Sequence, residues 1–163
     1  MRREELASSP FTTRQQRIRA VFLERRESYG PRDVEELTGS DPRRIPAAIQ
    51  DGEIEGELTC SGFLLRWPQF AALALEQWDH AEVEEALGDD AAHVLPPLVR
   101  TAPLSLRLPR YQVEALETLA RMHGSSIEGL VRNALLTLTE EHLEELSPAI
   151  PGIWEAIEFP LGS

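Results

Sequence analysis

Hydrophobic side chains recur at helical spacing through most of the chain and alternate with polar ones in only a few short runs. Thr12 or Thr13 can cap a first helix that runs to about Ser28, because hydroxyl groups accept hydrogen bonds from the free N–H groups at a helix start. Three further helices are predicted, each opened by a proline: 31–37, 42–50 and 68–78.

A β-hairpin is predicted between the last two of these helices, at residues 53–67, with Ser61 and Gly62 at its turn. The order is therefore helix, helix, turn, helix, hairpin, helix, and it defines a first domain at residues 12–78. Residues 1–11 combine charges with Ala, Ser and Pro, so we expect a disordered N-terminus there.

Two acidic segments lie on either side of residues 103–146. Residues 79–102 predict an acidic helical connector, in which Gly88 separates two short helices and a pair of prolines stiffens the exit. Residues 147–163 predict an acidic and apolar C-terminal tail that is too short to bury its own apolar side chains.

The hydrophobic period changes at residues 103–109. Leu104, Leu106 and Leu108 alternate with Ser105 and Arg107, which is the period-two pattern of a strand. A single short strand leaves its backbone groups without partners, so this strand must pair with another one.

Two amphipathic helices follow this strand. The first runs from Pro109 to about His123 and ends at Gly124, a residue suited to the left-handed cap position. The second begins at Ser125 and Ser126, continues to about residue 146, and places Glu128 where it can close a capping box on Ser125.

The net charge of -12 is unevenly distributed. Residues 101–124 carry three arginines against two glutamates, a local charge of +1, whereas residues 125–163 carry one arginine against seven glutamates. A basic footprint is typical of nucleic-acid binding, so the total charge argues against that function and the local charge around the strand does not.

The element order at residues 31–78 resembles the excisionase and MerR-like group of winged helix-turn-helix domains. The residues that carry the resemblance are VEELTG, RRI and AIQDGEI, at 34–39, 43–45 and 48–54. The resemblance implies a recognition helix that ends just before the wing, with Arg43 and Arg44 as a second DNA site.

This segment departs from the group's pattern in two ways. Pro46 lies inside the expected recognition helix, where it is tolerated only in the first turn. The wing carries acidic residues that phosphates would repel, namely Glu53, Glu55 and Glu57. The alternatives are therefore DNA contact by this domain, a surface that binds proteins, or a folded remnant of a DNA-binding domain.

Residues 103–146 resemble the ribbon-helix-helix family of CopG-, Arc- and MetJ-like repressors, through LSLRLP, VEALETLA and HGSSIEGLVRNAL. The resemblance implies a homodimer in which two strands pair antiparallel. The implied dimer core comprises Leu104, Leu106, Leu108, Leu130 and Leu135. The expected fold class is thus mostly α with short β: an N-terminal winged helix-turn-helix and a C-terminal ribbon-helix-helix dimerisation domain.

The same resemblance implies that the ribbon enters the major groove of double-stranded DNA. Ser105 and Arg107 would read bases, and the Arg107 guanidinium can bond guanine O6 and N7 together. Arg110 and the helix start at Ser125 and Ser126 would contact phosphates. In the alternative interpretation, Arg107 is a solvated surface charge and the serines only cap a helix.

The tail offers candidate partner-binding residues at Ile153, Trp154, Ile157 and Phe159. It would either pack on its own dimer or occupy a partner, as in ribbon-helix-helix antitoxins, whose layout this chain resembles. The leading hypothesis is a dimeric DNA-binding transcriptional repressor that regulates its own gene. The alternatives are an antitoxin that neutralises a toxin protein and a dimeric adaptor that does not bind DNA.

Other chemistry lacks support in the sequence. Four dispersed histidines and one cysteine, Cys60, suggest neither a metal site nor a nucleophile, and no motif for an enzyme or a cofactor is present. The lone cysteine and the lack of a long apolar run lead us to expect a cytoplasmic protein without membrane contact.

Overall fold

The computed structural model describes residues 13–162, and within this range the chain is mostly helical with one two-stranded antiparallel sheet. The predicted disorder at residues 1–11 and the possible cap at Thr12 lie outside the described residues. The chain divides into two compact units. Unit 1 contains the described residues up to Thr101 together with those from Glu155 onward, and unit 2 is Ala102–Trp154.

Helix α1, Arg14–Leu23, begins at the predicted cap. The Thr13 hydroxyl accepts from the Gln16 N–H, and the Gln16 side chain accepts from the Thr13 N–H. The helix ends before the predicted Ser28, because Glu24 leaves the helical conformation, with a φ of -106° and a ψ of 54°. Tyr29, farther along, exchanges two backbone hydrogen bonds of 2.9 Å with Leu65.

The next segment forms the predicted helix and turn. Helix α2, Pro31–Asp33, continues as a π-helical turn over Val34–Thr38. Gly39 ends the turn with a φ of 75°, a left-handed conformation that favours glycine. A 3₁₀ turn, Pro42–Arg44, then leads into a further short helix.

That helix is α3, Ile45–Gln50, and it carries Pro46 within its first turn, where the missing N–H is tolerated. Ile45 is fully buried and attaches the helix to the core. The hairpin that follows pairs β1, Glu57–Thr59, with β2, Gly62–Leu64. Its turn falls at residues 60–61, one position before the predicted turn.

Two glycines allow the hairpin to approach its neighbours closely. A Cβ atom on Gly62 would lie 2.7 Å from the Pro31 Cγ atom. A Cβ atom on Gly56 would lie 2.7 Å from the Ile49 side chain and 2.8 Å from that of Leu65. The missing side chains therefore bring the start of the hairpin against the core.

Helix α4, Trp67–Leu75, contributes the buried Trp67 to the hydrophobic core of unit 1. The buried Trp67 indole N–H donates to the Val21 carbonyl at 2.8 Å. The Phe22 ring meets the indole edge-on at 6.1 Å, and the Arg25 guanidinium lies 3.5 Å from its centre. These contacts join α1 to α4.

Residues 79–101 are part of unit 1, whereas the sequence predicts a connector there. Helices α5, His80–Leu87, and α6, Ala91–Val94, bury a continuous apolar row in the same core: Val83, Ala86, Leu87, Ala91 and Leu95. Arg19 of α1 donates to the Ala86 and Leu87 carbonyls and to the Asp90 carboxylate. Acidic residues on the exposed face dominate the composition of this segment. Composition alone therefore does not reveal the buried apolar row.

The C-terminal tail also contributes to unit 1. The Phe159 ring lies 6.4 Å from that of Trp67, in an edge-on arrangement, and Pro160 is fully buried. Of the two alternatives for the tail, packing on the chain's own core is therefore the one that the structure contains. Unit 1 is consequently made of two segments separated by 53 residues, Ala102–Trp154.

Unit 2 consists of helices. Helix α7, Arg110–His123, ends at Gly124 with a φ of 61°, as its sequence predicts. Helix α8, Ile127–Glu141, is followed by the one-turn helix α9, Leu143–Leu146. Helix α10, Ile153–Glu158, contains the boundary between the units. Over residues 13–162, no helix has the length and apolar character that a membrane span requires.

Candidate nucleic-acid interface

Residues 103–109 precede α7 and form neither a helix nor a strand within one chain. Leu104, Leu106 and Leu108 are 71%, 58% and 41% exposed. Apolar side chains exposed in this way gain free energy when they leave water, at roughly 25 cal/mol per Å². The segment therefore has the sequence of a buried strand but is uncovered in the single chain.

The helices of unit 2 leave their apolar side chains largely uncovered as well. Between residues 102 and 154, the buried apolar side chains are Ala120, Leu143 and Ile153. Large apolar residues of α7 and α8 are exposed instead, including Tyr111, Val113, Leu119, Met122, Ile127, Leu135, Leu136 and Leu138. Leu130, a predicted core residue, is only partly buried. A patch of this extent on one small unit is typical of a protein interface.

The predicted base-reading residues, Ser105 and Arg107, are both exposed. Arg110, at the first position of α7, forms an ion pair with Glu114 at 2.8 Å, and its side chain is 92% exposed. An exposed pair of this kind contributes little to stability, so phosphate can compete for the guanidinium.

Helix α8 begins one residue later than the capping-box prediction requires. The Ser126 hydroxyl accepts from the Gly129 N–H at 2.9 Å, so Ser126 is the cap. Glu128 forms an ion pair with Arg132 at 2.9 Å instead of bonding back to Ser125. Ser125 and Ser126 are both exposed, at the positive end of a 15-residue helix.

The predicted second DNA site is occupied by intramolecular ion pairs. The Arg43 Nε donates to the Asp41 carboxylate at 3.1 Å, and Arg44 pairs with Glu76 of unit 1. The Arg43 backbone N–H also donates to Asp41, and these two hydrogen bonds hold the pKa of the Asp41 carboxyl below its usual value. Both arginines therefore already have an anionic partner.

The wing is acidic, so it does not replace the positive charge of the paired Arg43 and Arg44. Glu53, Glu55 and Glu57 are all exposed, so they add negative charge on the side where phosphates would have to approach. The contact between Asp41 and Arg43 is predictable from the sequence, because Asp41 caps the turn at Pro42 and lies two positions before Arg43. The Glu76 contact spans 32 positions and has none.

The four candidate partner-binding residues of the tail lie in different environments. Ile153 is buried, Phe159 packs against the core of unit 1, and Ile157 is partly buried. Trp154 is 47% exposed, so it is the most accessible of the four. The tail therefore does not present them together as one free apolar surface.

Metal chemistry finds no support in the part of the chain that the structure describes. Over residues 13–162, no three His, Cys, Asp or Glu side chains are grouped so as to hold a metal ion. Cys60 is exposed at the hairpin turn.

Comparison with known proteins gives no family for this chain: no protein-family model matches it, and no curated protein or solved structure matches it significantly. The functional argument therefore depends on the geometry and chemistry of the residues described above.

Proposed function

We propose that this protein is a homodimeric DNA-binding transcriptional regulator whose reading head is a ribbon formed by residues 104–108 of two copies. One observation carries the proposal: an alternating leucine segment is uncovered in the single chain, and the apolar faces of the next two helices are largely uncovered. A second copy would cover them with the same chemistry, as a self-complementary dimer interface does.

The pairing satisfies two requirements of this segment together. Antiparallel strands supply partners for the backbone N–H and C=O groups of Leu104–Leu108. They also put the leucines of both copies on one face, against α7 and α8, and leave Ser105 and Arg107 on the other face. The resulting core would contain Leu104, Leu106, Leu108, Leu130 and Leu135 from each copy.

The outer face of the ribbon has the chemistry for double-stranded DNA. Two copies bring together two Arg107 and two Arg110 side chains, in a region of local positive charge. The planar Arg107 guanidinium matches the two acceptors of guanine in the major groove. The exposed start of α8 at Ser125 and Ser126 suits a phosphate oxygen. Repression, including that of its own gene, is the simplest outcome of such binding.

The experiment is a selection of bound sequences from random double-stranded DNA, followed by binding measurements on the preferred site. We expect Arg107→Ala to weaken binding by about 1–3 kcal/mol and to relax the choice at one base pair. We expect Arg110→Ala to weaken binding to all sequences alike and to reduce its dependence on salt.

A second candidate function is a dimeric adaptor that does not bind DNA. The total charge of -12, the ion pairs at Arg43 and Arg44, and the acidic wing favour it. Failure to bind any DNA at low salt would select it over the regulator. The antitoxin alternative is less favoured, because the packed Phe159 and Pro160 are unavailable to a toxin unless the tail leaves unit 1.

A further inference from the structure

Unit 1 contains a groove of about 760 Å³, which the proposed DNA-binding function does not use. It lies between the segment after α1, the entry to β1, the end of β2 and the tail. Its walls combine carboxylates of Glu27, Glu55 and Glu57 with the apolar side chains of Leu64 and Leu161. A groove of this volume accommodates several side chains of a ligand.

The position of the glutamates is fixed by the packing of the hairpin. Gly56 lies between two of them and has space for no side chain, because Ile49 and Leu65 occupy the place of its Cβ atom. The backbone is therefore held against the core, while Glu55 and Glu57 remain exposed on either side. The backbone that carries Glu55 and Glu57 is thus packed against the core rather than part of a free loop.

No ion pair within residues 13–162 neutralises the carboxylates of Glu27, Glu55 and Glu57. By contrast, Asp33, Asp41, Glu76, Glu82 and Asp90 each pair with an arginine. Among residues 13–162, Arg66 is the single cation that lines the groove. The groove therefore has a net negative charge of two at neutral pH.

The apolar residues of the groove are exposed too. Leu64 is 39% exposed and Leu161 is 53% exposed. Phosphates would be repelled here, and a metal ion would need a closer group of ligands than the described residues offer. A ligand that fits must combine positive charge with apolar side chains.

We propose that this groove binds a short, extended segment of a partner protein that carries arginine or lysine next to leucine-like residues. The basic side chains would pair with Glu27, Glu55 and Glu57, and the apolar ones would cover Leu64 and Leu161. The surface lies within unit 1 alone, so the inference does not depend on DNA binding or on dimerisation by unit 2.

The test uses the full chain and a blocked peptide of sequence Leu-Arg-Leu-Arg-Leu, observed by NMR titration at low salt. We expect shifts confined to the groove and a dissociation constant that rises at least tenfold in the variant E27Q/E55Q/E57Q. The matched control E24Q/E35Q/E85Q changes three exposed glutamates of unit 1 outside the groove, and we expect it to bind as the native protein does. Circular dichroism of both variants verifies that they are folded.

A second peptide, Ser-Arg-Ser-Arg-Ser, separates a shaped site from simple charge attraction, and we expect it to bind at least tenfold more weakly. Three results would each overturn the proposal. They are the absence of shifts with the first peptide, an equal loss of binding in the two glutamine variants, and equal binding of the two peptides.

Discussion

The arginines of unit 1 differ from Arg107 of unit 2 in their interaction partners. Arg14, Arg19 and Arg26 of unit 1 pair with acidic residues of the same unit, and Arg25 lies over an indole ring. These exposed pairs, like that of Arg110 with Glu114, compete with a phosphate for the guanidinium without excluding it. Arg107 in unit 2 is exposed beside a segment without acidic residues, so it is the better candidate for recognition.

Gly56 provides a test of the packing that supports the hairpin. We expect Gly56→Ala to lower the free energy of unfolding by about 1–3 kcal/mol, because the new methyl group would overlap the Ile49 and Leu65 side chains. Denaturant unfolding measures the change. Gly30→Ala is the matched control, since its Cβ atom would meet the Phe63 carbonyl oxygen at 3.8 Å, an ordinary contact. Equal effects of the two changes would contradict the packing argument.

Glu84 and Thr101 give a pH-dependent contact near the end of unit 1. The Thr101 hydroxyl and backbone N–H donate to the Glu84 carboxylate at 2.6 and 2.7 Å, and together they lower the Glu84 pKa. A lowered pKa means that the contact stabilises the fold above the ordinary glutamate pKa of about 4.3 and that this stabilisation is lost as the pH falls through the folded-state pKa.

We therefore expect Thr101→Val to raise the pKa of the Glu84 carboxyl toward its ordinary value, because the larger contribution, the hydroxyl hydrogen bond, is removed. An NMR titration of the side-chain carboxyl carbons measures the shift. Asp41, whose pKa is lowered by Arg43, is an internal reference that should not change. An unchanged Glu84 pKa would mean that the contact does not persist in solution.

Unit 2 shows, at the scale of elements, how a helix can form without a core of its own. Caps and local ion pairs define α7 and α8: Ser126 begins α8, Gly124 ends α7, and Arg110 pairs with Glu114. Such local interactions contribute only tenths of a kcal/mol to about 1 kcal/mol each, and most helix stability in proteins comes from packing. The exposed apolar faces therefore need a covering surface for stability.

A charge on the leucine segment tests whether that surface is a second copy. We expect the native chain to sediment as a dimer and Leu106→Asp to dissociate or unfold it, because a buried unpaired carboxylate costs several kcal/mol. The matched control is Leu58→Asp, which places the same charge on an exposed leucine of the hairpin that is 43% accessible. A well-folded native monomer, or a Leu106→Asp variant that remains dimeric, would refute the ribbon.

The sequence predicts the elements with local signals better than the contacts between distant ones. Thr13 marks a helix start through its hydroxyl and Gly124 marks a helix end through its left-handed conformation, and both lie at helix ends in the structure. The bridge between Tyr29 and Leu65 joins residues 36 positions apart. No local pattern encodes a bridge of that kind.

Contacts between distant residues also explain the outcome of the predictions for the connector and for the C-terminal tail. Residues 79–101 read as a connector because acidic residues dominate their composition, but five apolar positions are enough to join them to the core. The tail offered two alternatives because its partner, Trp67, lies 92 positions before Phe159. The ribbon stays a prediction, since its strand would pair with a residue of another copy.

The whole molecule would bind DNA through unit 2 alone if Arg43 and Arg44 stay paired and the acidic wing repels phosphates. We expect Arg43→Ala with Arg44→Ala to change the affinity of the full chain for its preferred site by less than about threefold, well below the 1–3 kcal/mol expected for a base-reading residue. Binding titrations and footprints on the same DNA provide the measurement. A shortened footprint or a tenfold loss of affinity would assign DNA contact to unit 1.

The two-segment construction of unit 1 has a consequence for how the chain acquires its structure during synthesis. Because Phe159 packs edge-on against Trp67, the cover over the core of unit 1 is still incomplete when Thr101 leaves the ribosome. All 53 residues of Ala102–Trp154 must emerge first, so the leucine segment is available to a second nascent or finished chain while unit 1 is still incomplete. Translation order would then favour assembly of the dimer before the final folding of unit 1.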